Sequence, residues 1–424
     1  VNGGRAALRT MAALGALTVT AAAPPARADG DAGPPAAHGT SPGARAVRGA
    51  PEGADGPLLE PGAERTYTDT LAPGEHKSYR VRLDAGSDAY VSAVALPRPG
   101  ATPGLRDGID LSLRAADGTP CGPARHRSFL SEGGAYPLAD HTERLAGTGG
   151  ACGAAGTYRF VVARGDADGG DASPLPVELR YTTGHPAATG SPAPDPGPGG
   201  WSSQPPSAPA GPVREVAGGR GFDDAARVDG GTWRDRIRPG ETRFYRVAVP
   251  AGHQLFAKAV FGSAPGPYVA NGVRLGLSDA ARGHVMNRTG GYGGDAAAVV
   301  LATPPAGGPG ALRGGEAERG MARPGWYVLQ LSLNPKAAGG RPDPVPVRLA
   351  IGTAPARKEA GADALPRVPV GRPVPLRSTG AEGDGGWLRV AGYAGVGTGT
   401  ALLLGLGGWV LLARRADGRS VRGR

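Results

Sequence analysis

Three aspartates fall within six residues, Asp166, Asp168 and Asp171, in the stretch Gly-Asp-Ala-Asp-Gly-Gly-Asp. Calcium takes oxygen ligands, so this density of carboxylates makes a candidate calcium site. No carboxylate follows where a closed EF-type loop needs one, and an acidic hairpin tip is the plainer reading. His126, Glu132, Asp140, His141 and Glu143 supply the ligand types of a zinc site without its compact spacing, and read as a solvated loop. Cys121 and Cys152 are the only cysteines. In an exported chain they are expected to pair, and closing the loop between them stabilises by about 3.7 kcal/mol in the chain-entropy description. The C-x-x-C spacing of a redox pair is absent. Gly39-Thr40-Ser41-Pro42-Gly43 formally matches G-x-S-x-G, but that elbow needs a strand-to-helix turn, and here it lies in a Pro-rich tail. There is no H-E-x-x-H and no P-loop. No cofactor is implied, and the chain reads as non-enzymatic.

The elements that must hold these groups come in two copies. Tyr67 to Pro97 and Trp233 to Ser263 align at a constant offset. They share Asp69 with Asp235, Pro73-Gly74-Glu75 with Pro239-Gly240-Glu241, Tyr79-Arg80-Val81 with Tyr245-Arg246-Val247, and Ala85-Gly86 with Ala251-Gly252. Later pieces match with small shifts, among them Gly156-Thr157-Tyr158 with Gly325-Trp326-Tyr327. Apolar residues alternate in each copy, as in Tyr79, Val81 and Leu83 or Tyr245, Val247 and Val249, so the runs are strands with one buried face. Gly/Pro turns at about 8 to 12 residue spacing bracket them. The fold class expected is all-β: two tandem antiparallel β-sandwiches, jelly-roll-like, plus one C-terminal transmembrane helix. Tyr67 and Trp233 are expected to serve the cores.

The flanks set the expected compartment. Residues 1–28 read as a signal peptide, with Arg5 and Arg9 before an uncharged run and Ala26-Arg27-Ala28 as the cleavage site. Residues 387–413 read as a transmembrane helix stopped by Arg414 and Arg415, and 414–424 as a basic cytoplasmic tail. Gly395 and Gly399 form a GxxxG pair suited to helix packing. Leu376 to Gly380 resembles a sortase sorting pentad, with Arg377 where those signals carry Pro or Ala. Between the flanks the sequence divides into a Pro/Gly-rich disordered segment (29–55), a first β-sandwich (56–183), a linker (184–221), a second β-sandwich (222–353) and a juxtamembrane spacer (354–386).

With Gly 75, Pro 43 and only 5% aromatics in 424 residues, modest cores and long spacers fit better than one large enzyme interior. The net charge of +10 does not mark a nucleic-acid protein, because most of it sits in the two flanks and no basic stripe interleaves with aromatics between them.

The run of a PGE turn, a YRV strand, an AG turn and a further strand resembles the bacterial pre-peptidase C-terminal domain and similar modules of exported actinobacterial proteins. That resemblance implies a non-catalytic accessory module. The chain is therefore expected in the cell membrane as a single-pass protein with extracellular domains, displaying two interaction modules to an envelope protein or wall glycan. A wall-glycan binding module, marked by exposed Trp or Tyr on one face of each sandwich, and a cryptic secreted hydrolase are the alternatives.

Overall fold

The computed structural model describes residues 39–131, 133–147, 152–184, 201–202, 211–341 and 343–356. The expected signal peptide (1–28), the expected span 387–413 with Gly395 and Gly399, and the pentad at Leu376 lie outside the described residues. No helix among those described is long and apolar enough to cross a membrane.

The first repeat opens with three short strands, β1 (Arg45–Ala46), β2 (Ala50–Pro51) and β3 (Leu58–Leu59). Eight principal strands follow: β4 (Thr66–Leu71), β5 (His76–Leu83), β6 (Asp88–Ala95), β7 (Gly108–Arg114), β8 (Arg125–Ser128), β9 (Leu138–Arg144), β10 (Gly156–Arg164) and β11 (Leu175–Gly184). They form two sheets, ordered β4-β11-β6-β9 and β5-β10-β7-β8, which is the antiparallel strand order of a jelly roll. The second repeat has β12 (Val213–Glu215), β13 (Ala226–Arg227), β14 (Gly231–Ile237), β15 (Thr242–Val249), β16 (His253–Phe261), β17 (Val269–Ser278), β18 (His284–Tyr292), β19 (Ala297–Ala302), β20 (Gly325–Leu333) and β21 (Val345–Pro355), with a one-turn helix α1 (Glu316–Gly320) before β20. Its sheets, β14-β21-β16-β19 and β15-β20-β17-β18, repeat the first order strand for strand. The all-β expectation holds.

The residues shared by the two copies have a common physical cause. Tyr79 and Tyr245 are fully buried in their cores, and each hydroxyl donates to a carboxylate, Asp69 at 2.8 Å and Asp235 at 2.6 Å. The same carboxylate oxygens accept from the backbone N–H of Gly49 (2.7 Å) and Gly218 (2.8 Å). Both positions must be glycine, since an added Cβ would stand 2.7 Å from the tyrosine ring. Burial, and then the Asp235 carboxylate, push the Tyr245 hydroxyl well above its ordinary range, so it remains a donor. Tyr245→Phe is expected to lower the stability of the fold by about 1–2 kcal/mol in denaturant unfolding, because the half-buried Asp235 loses a donor. The glutamates of the PGE turns act locally: Glu75 and Glu241 accept from the backbone N–H of Ala72 and Arg238.

That clasp corrects the segment boundaries. The stretch 29–55 was expected to be unpacked, yet β1 pairs with β4 and β2 with β5 in its second half. β12 likewise falls inside the linker 184–221 and pairs with β14. Here Gly and Pro serve tight approach and turns rather than disorder.

Each jelly roll has its own core, around Tyr67, Val81, Val91, Leu111 and Phe160 in the first and Tyr245, Phe261, Leu275, Leu329 and Ile351 in the second. Tyr67 is buried in the core, and Trp233 packs partly against its own while Arg214 stacks on its outer ring face. Alternation fails on β6, which is buried on both faces from Val91 to Ala95. The reason is the second repeat. Phe222 packs on one side against Val94, Leu96 and Ala139, on the outer face of the β4-β11-β6-β9 sheet. On its other side it packs against Phe244 and Val328, on the outer face of the β15-β20-β17-β18 sheet.

Candidate functional site: the junction of the two repeats

Two constellations of charge occupy this junction. The first is a buried latch. Arg282 lies in the turn between β17 and β18 with a left-handed backbone (φ 68°), and its side chain is 1% exposed. Its guanidinium donates to Glu178 Oε2 of β11 (3.0 Å) and to Asp223 Oδ1 (3.0 Å), and Arg180 of β11 also holds Asp223, at 2.5 and 2.6 Å. Burial alone would raise the Asp223 carboxyl, but Arg282, Ser41 and Arg180 outweigh it and hold the pKa down to about 2. Ser41, the serine of the formal G-x-S-x-G match, belongs to this latch. Its N–H and Oγ both donate to Glu178, so its role is structural.

The second constellation surrounds a cleft of about 350 Å³. β9 supplies Asp140, His141 and Glu143, three of the five residues singled out as a mixed ligand set, and β6 supplies Tyr90. The second repeat contributes Asp279, Arg319, Arg323 and Trp326. His126 is not among them; it sits on β8 with Nδ1 2.9 Å from Asp110, and Glu132 lies outside the described residues. His141 Nδ1 is 3.6 Å from Asp279 Oδ2 and its Nε2 3.7 Å from Glu143 Oε2, while Tyr90 meets the imidazole edge-on at 5.2 Å. Arg127 pairs with Asp140 at 2.8 Å and also with Glu316 of α1, and Arg323 reaches across to Asp88 at 2.6 Å. No group of three or more His, Cys, Asp or Glu among the described residues is arranged to hold a metal ion.

Burial by itself lowers the imidazole pKa of His141, but Asp279, Glu143 and Asp140 outweigh it and raise it above 6.5. A basic group whose folded pKa is raised stabilises fully below its unfolded value, and that stability is lost as pH rises through the folded value. The junction is therefore expected to loosen as pH climbs from 6.5 through the raised value. Melting temperatures followed across neutral pH should show this component, and His141→Gln should flatten it. An identical profile in the two proteins would refute the assignment.

The other candidates lie apart from the junction. Asp166 and Asp168 face Arg106 at 3.7 and 3.4 Å, and Asp171 Oδ1 accepts from the Ser173 N–H. These aspartates form the charged, hydrogen-bonded turn between β10 and β11 and are not gathered around a cation position. Cys121 and Cys152 form the expected disulfide, with Cα atoms 5.2 Å apart. Sequence reasoning missed Tyr90, Asp279, Arg282 and Arg323. Only the departure of β6 from alternation carried a signal for any of them.

No family model and no curated protein matches the sequence. Solved structures similar to the chain include the pre-peptidase C-terminal domain of a collagenase from Bacillus anthracis (12% identity, 33% of this chain and 96% of that one, TM-score 0.19). They also include the CBM22-1–CBM22-2 tandem of Xyn10C from Paenibacillus barcinonensis (10%, 68% and 85%, TM-score 0.19) and the human CUB1-EGF-CUB2 segment of MASP-1/3 (6%, 68% and 99%, TM-score 0.18).

Proposed function

We propose that the chain is a non-catalytic cell-envelope protein that displays two joined jelly rolls outside the membrane as one interaction module. The observation that carries this reading is the junction. Phe222, Arg282 and Arg323 fasten the repeats to each other, so a partner meets one fixed surface built from both. The uncharged run 390–413, followed by five arginines, is what supports a membrane anchor with an internal C-terminus. The test is protease treatment of intact cells carrying a C-terminal tag, combined with in-cell cross-linking. The expected result is digestion of the repeats, protection of the tag, and capture of a discrete envelope component. Protected repeats, or a tag digested in intact cells, would overturn the topology.

A glycan-binding reading has a specific observation in its favour. Trp326 is 38% exposed at the rim of the junction cleft. Trp326 and Tyr268 are the exposed large aromatics among the described residues, and both belong to the second repeat. Among the described residues the first repeat presents no exposed large aromatic, and Trp326 faces a cleft that both repeats line.

A further inference from the structure

We propose that the outer face of the β14-β21-β16-β19 sheet is a docking surface for a linear polyanion, a polymer with an ionised phosphate or carboxylate group in each repeat. The inference deepens the reading of the repeats as an envelope interaction module, and it rests on that reading for the place where the polymer is met.

Strand alternation decides which side chains share this face. Arg234 and Arg236 of β14 stand on it with Arg348 of β21 and Lys258 of β16, while Trp233, Val347 and Leu349 turn to the core. The register puts Arg234 directly opposite Arg348, and Lys258, opposite Ala350, lies diagonal to Arg348. Arg236, Arg234, Arg348 and Lys258 thus form one continuous line across three strands. Its steps are about 7 Å along β14, about 5 Å across to β21 and about 7–8 Å on to β16. All four residues are exposed. No stripe in the sequence announces the line, because three separate strands assemble it.

The fold leaves this charge largely unmatched. Glu215 of β12 pairs with Arg234 at 3.1 Å, and Nη2 of Arg236 donates to the Pro344 carbonyl at 3.2 Å. Arg348 and Lys258 have no hydrogen bond or ion pair among the described residues. Like charges directly opposite each other on a sheet are destabilising, and one exposed carboxylate offsets little of that. The first copy shows that the fold does not require the line. At the matching registers it carries Thr70, Thr68, Glu178 and Ser92. A partner that brings the missing anions accounts for both facts.

The arrangement selects the class of partner. Charges in a row at about 5–8 Å match successive ionised groups of an extended polymer, whereas a single small anion is held by donors that converge on it. A membrane surface is entered by aromatic and large apolar side chains. The exposed large apolar residues on this face are Val213 and Val300, one on each edge strand. Release of counterions from the polymer supplies the affinity, as it does on the phosphates of nucleic acids.

The test holds the full-length chain in phosphatidylcholine nanodiscs and titrates it with poly(glycerol phosphate) and with polygalacturonate, against their monomers and neutral dextran. Affinity is read together with the rate at which an amine reagent labels Lys258, the exposed Lys336 serving as reference. Polymer is expected to slow labelling of Lys258 and spare Lys336, and the tighter of the two polymers identifies phosphate or carboxylate as the group preferred. Arg348→Glu with Lys258→Ser, which installs the residues of the first copy, should weaken binding about tenfold or more and reduce the slope of log affinity against log salt by about 1.4. The arginines of the C-terminal tail are present in both proteins, so the difference reads the face alone. Arg65→Glu with Arg82→Ser makes the same charge change on exposed residues of the first copy and should bind like the parent. All four positions are at the surface, and an unchanged melting temperature separates lost binding from lost fold. Equal weakening by the two pairs, or monomers bound as tightly as polymers, would overturn the proposal. So would absence of polymer binding, and if phosphatidylglycerol in the discs then shields Lys258, the face belongs to a membrane. None of these results touches the envelope reading, which falls instead with the protease test of topology.

Discussion

Replacing Arg282 with alanine is expected to destabilise the protein by about 3–5 kcal/mol, the range for removing one partner from a buried ion pair. The loss comes less from the vanished attraction than from what remains. Glu178, 3% exposed in its side chain, keeps its burial and loses its guanidinium, while Asp223 retains Arg180. Calorimetry should show a melting temperature lowered on the order of 10 °C, with the transition splitting as the two repeats uncouple. Two companion variants make the mechanism checkable. Arg282→Gly relieves the left-handed backbone, so it should be less harmful than alanine by about 1 kcal/mol while still failing to rescue the junction. Arg282→Met combined with Glu178→Met removes both charges and should recover most of the loss, because apolar replacement of a buried pair is often close to neutral. If the single and double variants melt alike, the latch is not electrostatic. Acid should reach the same interaction by another route. Asp223, depressed to about 2, contributes stability that is present above 3.8 and lost as pH falls through about 2.

Loss of the disulfide is the second large effect. Cys121→Ser with Cys152→Ser is expected to destabilise by about 2–5 kcal/mol. Cys121 follows β7, its N–H donating to the Leu113 carbonyl at 2.8 Å, and Cys152 packs in the first core just before β10. The bond thus ties the loop leaving β7 to the start of the central strand β10. The first repeat alone should weaken, and the second, which has no cysteine, should keep its own transition. Reduction of the native protein with dithiothreitol should reproduce the shift. Free thiols in protein recovered from its native compartment would overturn the expectation of an exported, oxidised location.

Much of the fold is legible because its causes are local. Alternation in Tyr79-Val81-Leu83 and Tyr245-Val247-Val249 follows from a strand with one face in a core, and the constant offset between the repeats follows from the shared clasp of tyrosine, aspartate and glycine. The junction was not legible for the opposite reason. Phe222 and Asp223 sit in a short non-strand stretch and Arg282 in a turn, where no periodicity announces burial, and their partners lie more than a hundred residues away or on another sheet. His141 was noticed for its chemistry, but Asp279 comes from the other repeat, so no spacing within the first copy could connect them. The early strands β1 and β2 were hidden by composition, since their Gly and Pro look alike whether a segment is loose or tightly turned.

The way the repeats meet has a consequence for assembly. The outer face of one sheet type in the first copy contacts the outer face of the other type in the second, so the contact is heterologous. Contacts of that kind propagate into open arrays unless something stops them. Here the corresponding faces of the other copy differ from the joined ones at the positions that matter. Where the seat for Phe222 has Phe244 and Val328, the first copy carries Ser78 and Arg159 at the matching registers. Where the latch uses Glu178 opposite Val94, the second copy carries Arg348 opposite Val260, so a further Arg282-like turn would meet like charge. The second copy therefore does not offer an Arg282-like turn the acidic seat that Glu178 supplies in the first.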